Sequence, residues 1–267
     1  MNVIERVFGR RGAVIGMVHL LPLPGAPTAR GMQEVRERAL ADARALVAGG
    51  VDGLLVENFG DWPFYRDAVP PVTVAAMAVV LAELLHRFGP IPVGVNVLRN
   101  DALAALGLAV ACGATFIRVN VLTGAMVTDQ GVIEGRAAEL LRARQALGAG
   151  GVAIFADVLV KHAAPLAPIS MHRAVLDALE RGGADGVVVS GAGTGCPAST
   201  DALQQACEAA HGRPVLVGSG VTLGSVREVL RVADAVIVGT AVKAGGDVRA
   251  QVDEVRVRTL VTGARGA

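Results

Sequence analysis

Lysine, aromatic side chains and cysteine are all scarce in this 267-residue chain, and each scarcity excludes something. The three cysteines, Cys112, Cys196 and Cys207, show no CxxC spacing, which argues against a disulfide framework or a zinc site. No uninterrupted apolar run approaches the roughly 20 residues of a bilayer-crossing helix. Neither charge sign is in excess: 25 basic and 24 acidic residues leave a net +1. That balance lacks the electrostatic footprint of a nucleic-acid or anionic-membrane binder. Residues Met1 to Arg11 are polar and basic, with no cleavage-type segment after them. A cytoplasmic protein without membrane insertion or nucleic-acid partner is the expectation.

What is abundant is small and aliphatic. Hydrophobic residues form 52% of the chain, and 34 glycines divide them into short blocks. The blocks are Ala13–Leu20, Asp52–Glu57, Ile91–Val97, Thr115–Val121, Val152–Leu159, Asp185–Ser190, Pro214–Gly218 and Asp234–Gly239. Rich in Val and Ile and bounded by Gly, Pro or Asp, they read as parallel strands buried on both faces. Helical periodicity fills the gaps, over Met32–Ala48, Val72–Arg87, Asp101–Ala111, Glu134–Leu147, Met171–Arg181, Thr200–Ala210, Thr222–Arg231 and Val252–Val261. Similar turns open alternate strands, as in Gly50-Val51-Asp52, Gly113-Ala114-Thr115, Gly183-Ala184-Asp185 and Val232-Ala233-Asp234. Eight strand–helix pairs with this weak repeat predict one α/β domain over 1–267, a (β/α)8 TIM barrel. A doubly wound open sheet is the alternative, but no glycine fingerprint follows the first strand.

Chemistry in such a barrel belongs at the C-terminal strand ends. Those ends carry His19, Glu57, Asn96, Arg118, Asn120, Asp157 and Ser190. A charge inside a packed strand is costly unless paired or used. Arg118 is therefore either half of an ion pair with Glu57 or Asp157, or a substrate ligand, and the two roles are compatible. Only two basic residues are lysines, Lys161 and Lys243, and both follow strands on this face. A lysine is a compact charge that titrates or forms imines where arginine cannot. Glu57, Asp157, Lys161 and Arg118 are thus the catalytic candidates. His19, Asn96, Asn120, Asp129, Ser190 and Gly193 are the substrate-binding ones. His19, His162, Glu57 and Asp157 have no metal-ligand spacing, so no metal or cofactor is expected, with Mg2+ an unsupported alternative.

The last two strands run into glycine turns, Gly218-Ser219-Gly220 and Gly239-Thr240, the first expected to open a helix. Glycine lets backbone amides approach an anion, and helix N-termini favour negative charge. Gly218, Ser219, Gly220, Gly239, Thr240 and Lys243 are the expected phosphate ligands, extended by Gly191 to Gly195. Of the eight aromatic residues, Phe59, Trp62, Phe64 and Tyr65 cluster in the loop after the second strand. They make either a cap over substrate or, by a small margin, a subunit interface. The Thr123–Gly131 segment has the length of a mobile active-site loop.

Several long segments carry a family resemblance. They are Ile15-Gly-Met-Val-His19, Gly53-Leu-Leu-Val-Glu57-Asn-Phe-Gly-Asp61, Gly94-Val-Asn-Val-Leu-Arg-Asn100 and Phe116-Ile-Arg-Val-Asn-Val-Leu-Thr-Gly124. Phe155-Ala-Asp-Val-Leu-Val-Lys-His162 and Val189-Ser-Gly-Ala-Gly-Thr-Gly195 extend the set. Over nearly its whole length the chain resembles the BtpA/SgcQ family. The resemblance implies a ribulose-phosphate-binding type of barrel. It also implies a link to photosystem I biogenesis in some members and roles near sugar metabolism or a nucleoside triphosphatase label in others. No P-loop supports that last label. The expectation is a homo-oligomeric enzyme for a small phosphorylated sugar or nucleoside-derived compound, by an isomerase, lyase or hydrolase reaction. A lysine aldolase is a minor option, since no barrel strand carries the lysine. A non-catalytic assembly or stability factor for a membrane complex is the alternative.

Overall fold

The computed structural model describes residues 2–191 and 193–266. In chain order it contains α1 (Val3–Phe8), β1 (Ala13–His19), α2 (Met32–Ala48), β2 (Gly53–Glu57), α3 (Pro71–Phe88) and β3 (Val93–Asn96). Then follow α4 (Ala102–Cys112), β4 (Phe116–Val119), β5 (Ala125–Thr128), β6 (Gly131–Glu134), α5 (Ala137–Ala146), β7 (Ala153–Val158) and β8 (Ala163–Pro165). The chain ends with α6 (Met171–Leu176), β9 (Gly186–Val189), α7 (Thr200–Ala210), β10 (Val215–Val217), α8 (Val226–Val229), β11 (Ala235–Val238) and α9 (Glu254–Arg265). Eight parallel strands close in the order β1-β11-β10-β9-β7-β4-β3-β2. The chain is a (β/α)8 barrel, and closure rules out the open sheet.

The turn repeat has a structural cause. Each aspartate that precedes an even barrel strand takes an amide from the strand before it. Asp52 accepts from Val14 at 2.8 Å, Asp185 from Ile154 at 2.8 Å and Asp234 from Val215 at 3.0 Å. These carboxylates satisfy backbone donors at the N-terminal rim, where the sheet ladder runs out.

Side chains alternate across a strand, so inward positions recur every two residues. Ile15, Met17, Leu55, Phe116, Phe155, Val188, Leu216 and Ile237 form an apolar interior. Phe8 of α1 closes it from below, packed edge-on to Phe116 with ring centroids 5.3 Å apart. A Cβ on Gly94 would lie 2.2 Å from the Phe116 ring and one on Gly53 2.7 Å from Phe8. Glycine at those two positions makes room for the phenylalanines. α1 itself went unforeseen, although Asn2 and Glu5 form a capping box at its start.

Two segments depart from the sequence expectation, the Thr123–Gly131 loop and the Thr222–Arg231 helix, whereas α3 forms where expected. The Thr123–Gly131 segment is half of a β-hairpin, β5 with β6, and β8 adds a third antiparallel strand. Met126 and Ile133 turn inward on Val121 and Val160, while Val127 and Val132 face out. The helix expected at Thr222–Arg231 shrinks to the single turn of α8, because Thr222 and Ser225 hydrogen-bond each other and hold the chain in a turn. α3, at 18 residues and mean hydropathy 1.5, is long and apolar enough to cross a bilayer by composition. Its Met77, Val80, Leu81 and Leu84 are buried in the helical ring instead.

Lys243 is the largest correction. It is wholly buried and its Nζ lies 2.7 Å from Asp42 Oδ2, on the inner stripe of α2. Asp42 also accepts from the Val252 amide at 2.8 Å. The lysine clamps the C-terminal segment to α2 and is withdrawn from the phosphate end. Burial lowers its pKa, opposed by Asp42. Removing one member of a buried pair strands the other charge, at a cost of about 3–5 kcal/mol. Asp42→Ala is expected to lose that much in urea unfolding, with much of it recovered in Asp42→Leu/Lys243→Met. A loss below about 1 kcal/mol would place the pair in the class of solvated bridges.

Candidate active site

The inward positions immediately above the apolar interior hold a polar layer. Met17 leads to His19, Leu55 to Glu57, Gly94 to Asn96, Phe116 to Arg118 and Asn120, and Phe155 to Asp157. Val188 leads to Ser190, Leu216 to Gly218 and Ile237 to Gly239. Strand alternation alone brings these sequence-distant residues to one level.

Within the layer, Arg118 and Asp157 form a bidentate ion pair, Nε to Oδ2 at 2.9 Å and Nη2 to Oδ1 at 2.8 Å. Asn120 donates to the same carboxylate at 3.1 Å, and Ser190 Oγ lies 3.5 Å away. Burial opposes the Arg118 charge, but Asp157 more than offsets it and holds the pKa above an ordinary arginine's. Both oxygens of Asp157 are thus engaged by Arg118 and Asn120. Among the described residues Arg118 Nη1 has no protein partner, and Arg118 borders both chambers of the site.

Glu57 occupies the opposite wall. Asn96 donates to its Oε2 at 2.7 Å, and His19 Nε2 stands 3.9 Å from Oε1. Burial drives the His19 ring well below its ordinary 6.5, reinforced by Lys243, Lys161 and Arg118 in that order. Phe59 stacks on the imidazole at 4.5 Å. A neutral ring beside Glu57 leaves the carboxylate without an ionic partner and available for proton transfer.

Lys161 lies on the rim after β7, between two residues of left-handed backbone, Leu159 at φ 48° and His162 at φ 56°. Such conformations are strained for side chains of this kind and often mark working segments. Arg99 Nη2 donates to the Lys161 carbonyl at 2.7 Å and holds the segment. Burial, then the Arg118 charge, lowers the Lys161 pKa, with Glu57 and Asp157 opposing. Beside it, Thr194 donates its amide to His162 Nε2 at 3.2 Å. Arg99, which follows the third strand directly, is not among the site residues expected from sequence, whereas Thr194 falls in the Gly191–Gly195 turn expected to extend the phosphate end.

Two connected chambers open over this layer. The inner one, about 130 Å³, is bounded by the turns Gly218–Thr222 and Gly239–Ala241 with Thr194 and Gly195. The outer one, about 460 Å³, is walled by Phe59, Trp62 and Phe64, with Arg99, Asn120 and the hairpin residue Asp129. Glu57, Arg118, Lys161 and Thr194 border both. Phe59, Trp62 and Phe64 of the aromatic loop thus line the chamber, while Trp62 and Tyr65 keep about half their surface exposed.

Several expected ligands play supporting parts. Ser219 Oγ accepts from the Gly191 amide at 3.0 Å and donates to the Cys196 carbonyl at 3.2 Å, stapling the loop after β9. A Cβ at Gly218 would lie 3.1 Å from Arg118 Nη2, and one at Gly220 2.2 Å from Pro197. These glycines make room for neighbours as well as for a ligand. Gly193 packs near His162, and Ala192 of the same turn lies outside the described residues. Among the described residues the amides of Ser219, Gly220 and Val221 make no hydrogen bond. No group of three His, Cys, Asp or Glu side chains there is arranged to hold a metal.

The two carboxylates predict different variants. Asp157→Asn weakens the bidentate pair and is expected to lower stability by about 1.5–3 kcal/mol. Glu57→Gln keeps its acceptor for Asn96 and is expected to stay within about 1 kcal/mol of the parent; equal losses would contradict the division of roles. His19 adds a pH dependence. Its folded pKa lies below the unfolded 6.5, so the unfolded chain binds more protons in that interval. Its contribution is complete above 6.5 and is lost as pH falls. Denaturant midpoints from about pH 7.5 to about pH 5.5 should fall more for the parent than for His19→Gln; parallel curves would refute the neutral ring.

Comparison with known proteins agrees with this architecture. The BtpA family model matches residues 10–266. The photosystem I biogenesis protein BtpA of Synechocystis is 48% identical over 257 residues, 96% of this chain and 89% of that protein. An uncharacterised protein of Thermococcus kodakarensis is 48% identical over 252 residues, 94% of each chain. Among solved structures, N-(5'-phosphoribosyl)anthranilate isomerase of Pyrococcus furiosus superposes with a TM-score of 0.57 at 14% identity, over 96% of this chain and 100% of that one. That last likeness is one of barrel fold. With a family model spanning the barrel and a relative sharing nearly half its residues, this chain belongs to the BtpA family.

Proposed function

We propose that this protein is an enzyme acting on a small phosphorylated sugar or nucleoside-derived compound, by proton transfer at Glu57. The observation that carries the reading is the position of Glu57, at the junction of the two chambers and without an ionic partner. A substrate anchored in the inner chamber presents the carbon next to its phosphate-bearing portion to that carboxylate. Lys161, with its lowered pKa, is the complementary acid on the same junction. Arg118 Nη1 orients a substrate oxygen from the third side.

Charge and backbone support the inner chamber as the phosphate end. Among the described residues Lys161, which borders the inner chamber, forms no ion pair, so that cation lacks close compensation. An arriving dianion supplies it. The amides of Ser219, Gly220 and Val221 and the Thr240 hydroxyl serve as donors. α8, a single turn, contributes no helix terminus of consequence. The fold relative named for a phosphoribosyl substrate is consistent with this end of a barrel holding phosphate. A purely scaffolding role leaves the buried cations and the unpaired Glu57 without a use.

A thermal-shift screen of sugar phosphates and nucleotides, with and without Mg2+, tests the reading. A ligand at about 100 times its Kd adds about 2.7 kcal/mol of stability. Thr240→Glu places a carboxylate at the phosphate end and is expected to weaken any hit at least about tenfold. Glu57→Gln is expected to retain binding and lose about 10²- to 10⁴-fold in turnover. Silence across the panel, or a hit indifferent to Thr240→Glu, counts against the phosphate assignment.

A further inference from the structure

The chain contains one tryptophan, and it stands in the wall of the outer chamber with its side chain about half exposed (53%). Phe59 and Phe64 share that wall, in a chain with few aromatic residues elsewhere. Phe59 is fixed by its stack on His19, and Asp61 holds the loop by accepting from the Leu23 amide at 2.7 Å. An anchored loop that keeps an indole partly in water over a cavity leaves a large apolar face to be covered by a ligand. The chamber floor is polar: Asn120 has a buried carboxamide oxygen with no partner, and Arg99 and Asp129 stand on the rim. Aromatic walls with a few donors and acceptors at the edge suit a flat heteroaromatic ring, whose face stacks on the indole and whose edge takes the hydrogen bonds. The outer chamber is also the larger of the two and shares Glu57, Arg118, Lys161 and Thr194 with the inner one as lining.

We infer that the substrate carries a planar nitrogen heterocycle, a nucleobase or its equivalent, which stacks on Trp62 while its phosphate lies in the inner chamber. This rests on the phosphate reading above and narrows it from sugar phosphates at large to nucleoside 5′-monophosphate-like compounds. The ribose then spans the junction and brings its hydroxyl groups beside Glu57, which can accept a proton from a hydroxyl or from an attacking water. Asp129, Arg99 and Asn120 read the polar edge of the ring.

Because Trp62 is the sole tryptophan, intrinsic fluorescence reports the outer chamber directly. The parent protein is titrated with AMP, GMP, CMP and UMP, with the corresponding free nucleosides, and with ribose 5-phosphate. Calorimetry repeats the series on Trp62→Ala, whose fold is checked by circular dichroism. The expected result is saturable quenching by at least one nucleotide that binds about tenfold or more tighter than ribose 5-phosphate. Ribose 5-phosphate should displace it competitively, and Trp62→Ala should lose the nucleotide advantage while keeping ribose 5-phosphate affinity. Ribose 5-phosphate binding as tightly as every nucleotide, without quenching, overturns the heterocycle and leaves the phosphate reading intact. A nucleoside that quenches as well as its nucleotide upholds the ring chamber and removes the phosphate. Absence of binding by the whole series overturns both.

Discussion

The buried pair between Arg118 and Asp157 is the constraint on which the upper half of the barrel depends. A guanidinium and a carboxylate that close to an apolar interior are stable only when each satisfies the other and neighbours occupy the remaining valences. Asn120 and Ser190 approach Asp157, and Gly218 lacks a side chain where Arg118 and Ser190 need space. The pair therefore specifies residue types on four strands. It also separates the two acids of the layer: Asp157 is occupied, and Glu57 faces the chambers.

Positive charge gives the site its direction. Arg118 is neutralised within the protein, whereas Arg99 and Lys161 are not, and His19 is kept neutral by burial and by the cations around it. Protonating His19 would set another charge against Lys161 and Arg118 in a region of little water, which is why the fold resists it. The resulting field favours an anion, and among the described residues the unbonded amides of Ser219, Gly220 and Val221 border the inner chamber. The open carboxylate of Glu57 and those amides thus border one chamber.

Much of this was legible in the sequence, for definite reasons. Strands buried on both faces appear as Val- and Ile-rich blocks, and the Gly-x-Asp turns recur because each aspartate satisfies the same kind of rim amide. Polar residues at strand ends stand out against those blocks, which is how Glu57, Arg118 and Asp157 were found. The place of Lys243 is not legible in this way, because a lysine after the last strand looks the same whether it turns to solvent or to a helix. The clue was Asp42, an acid on the same helical stripe as Val35, Ala39 and Leu46, which needs a buried base. The hairpin was missed because its alternation lasts only a few residues and the third strand comes from beyond β7.

The sequence by itself determined that this chain closes into a barrel and which polar residues end its strands, since both follow from hydrophobic period and alternation. Only the tertiary structure decided the pairings: that Asp157 is bound and Glu57 open, that Lys243 is a clamp, and that Phe59, Trp62 and Phe64 line the outer chamber. The physical reason is that a strand's period tells which way a side chain points, while its partner is supplied by residues about forty positions away at Arg118–Asp157 (a separation of 39) and about two hundred away at Lys243–Asp42 (201). Charge pairing across such distances is set by barrel closure and stagger, and these exist only once the chain has folded.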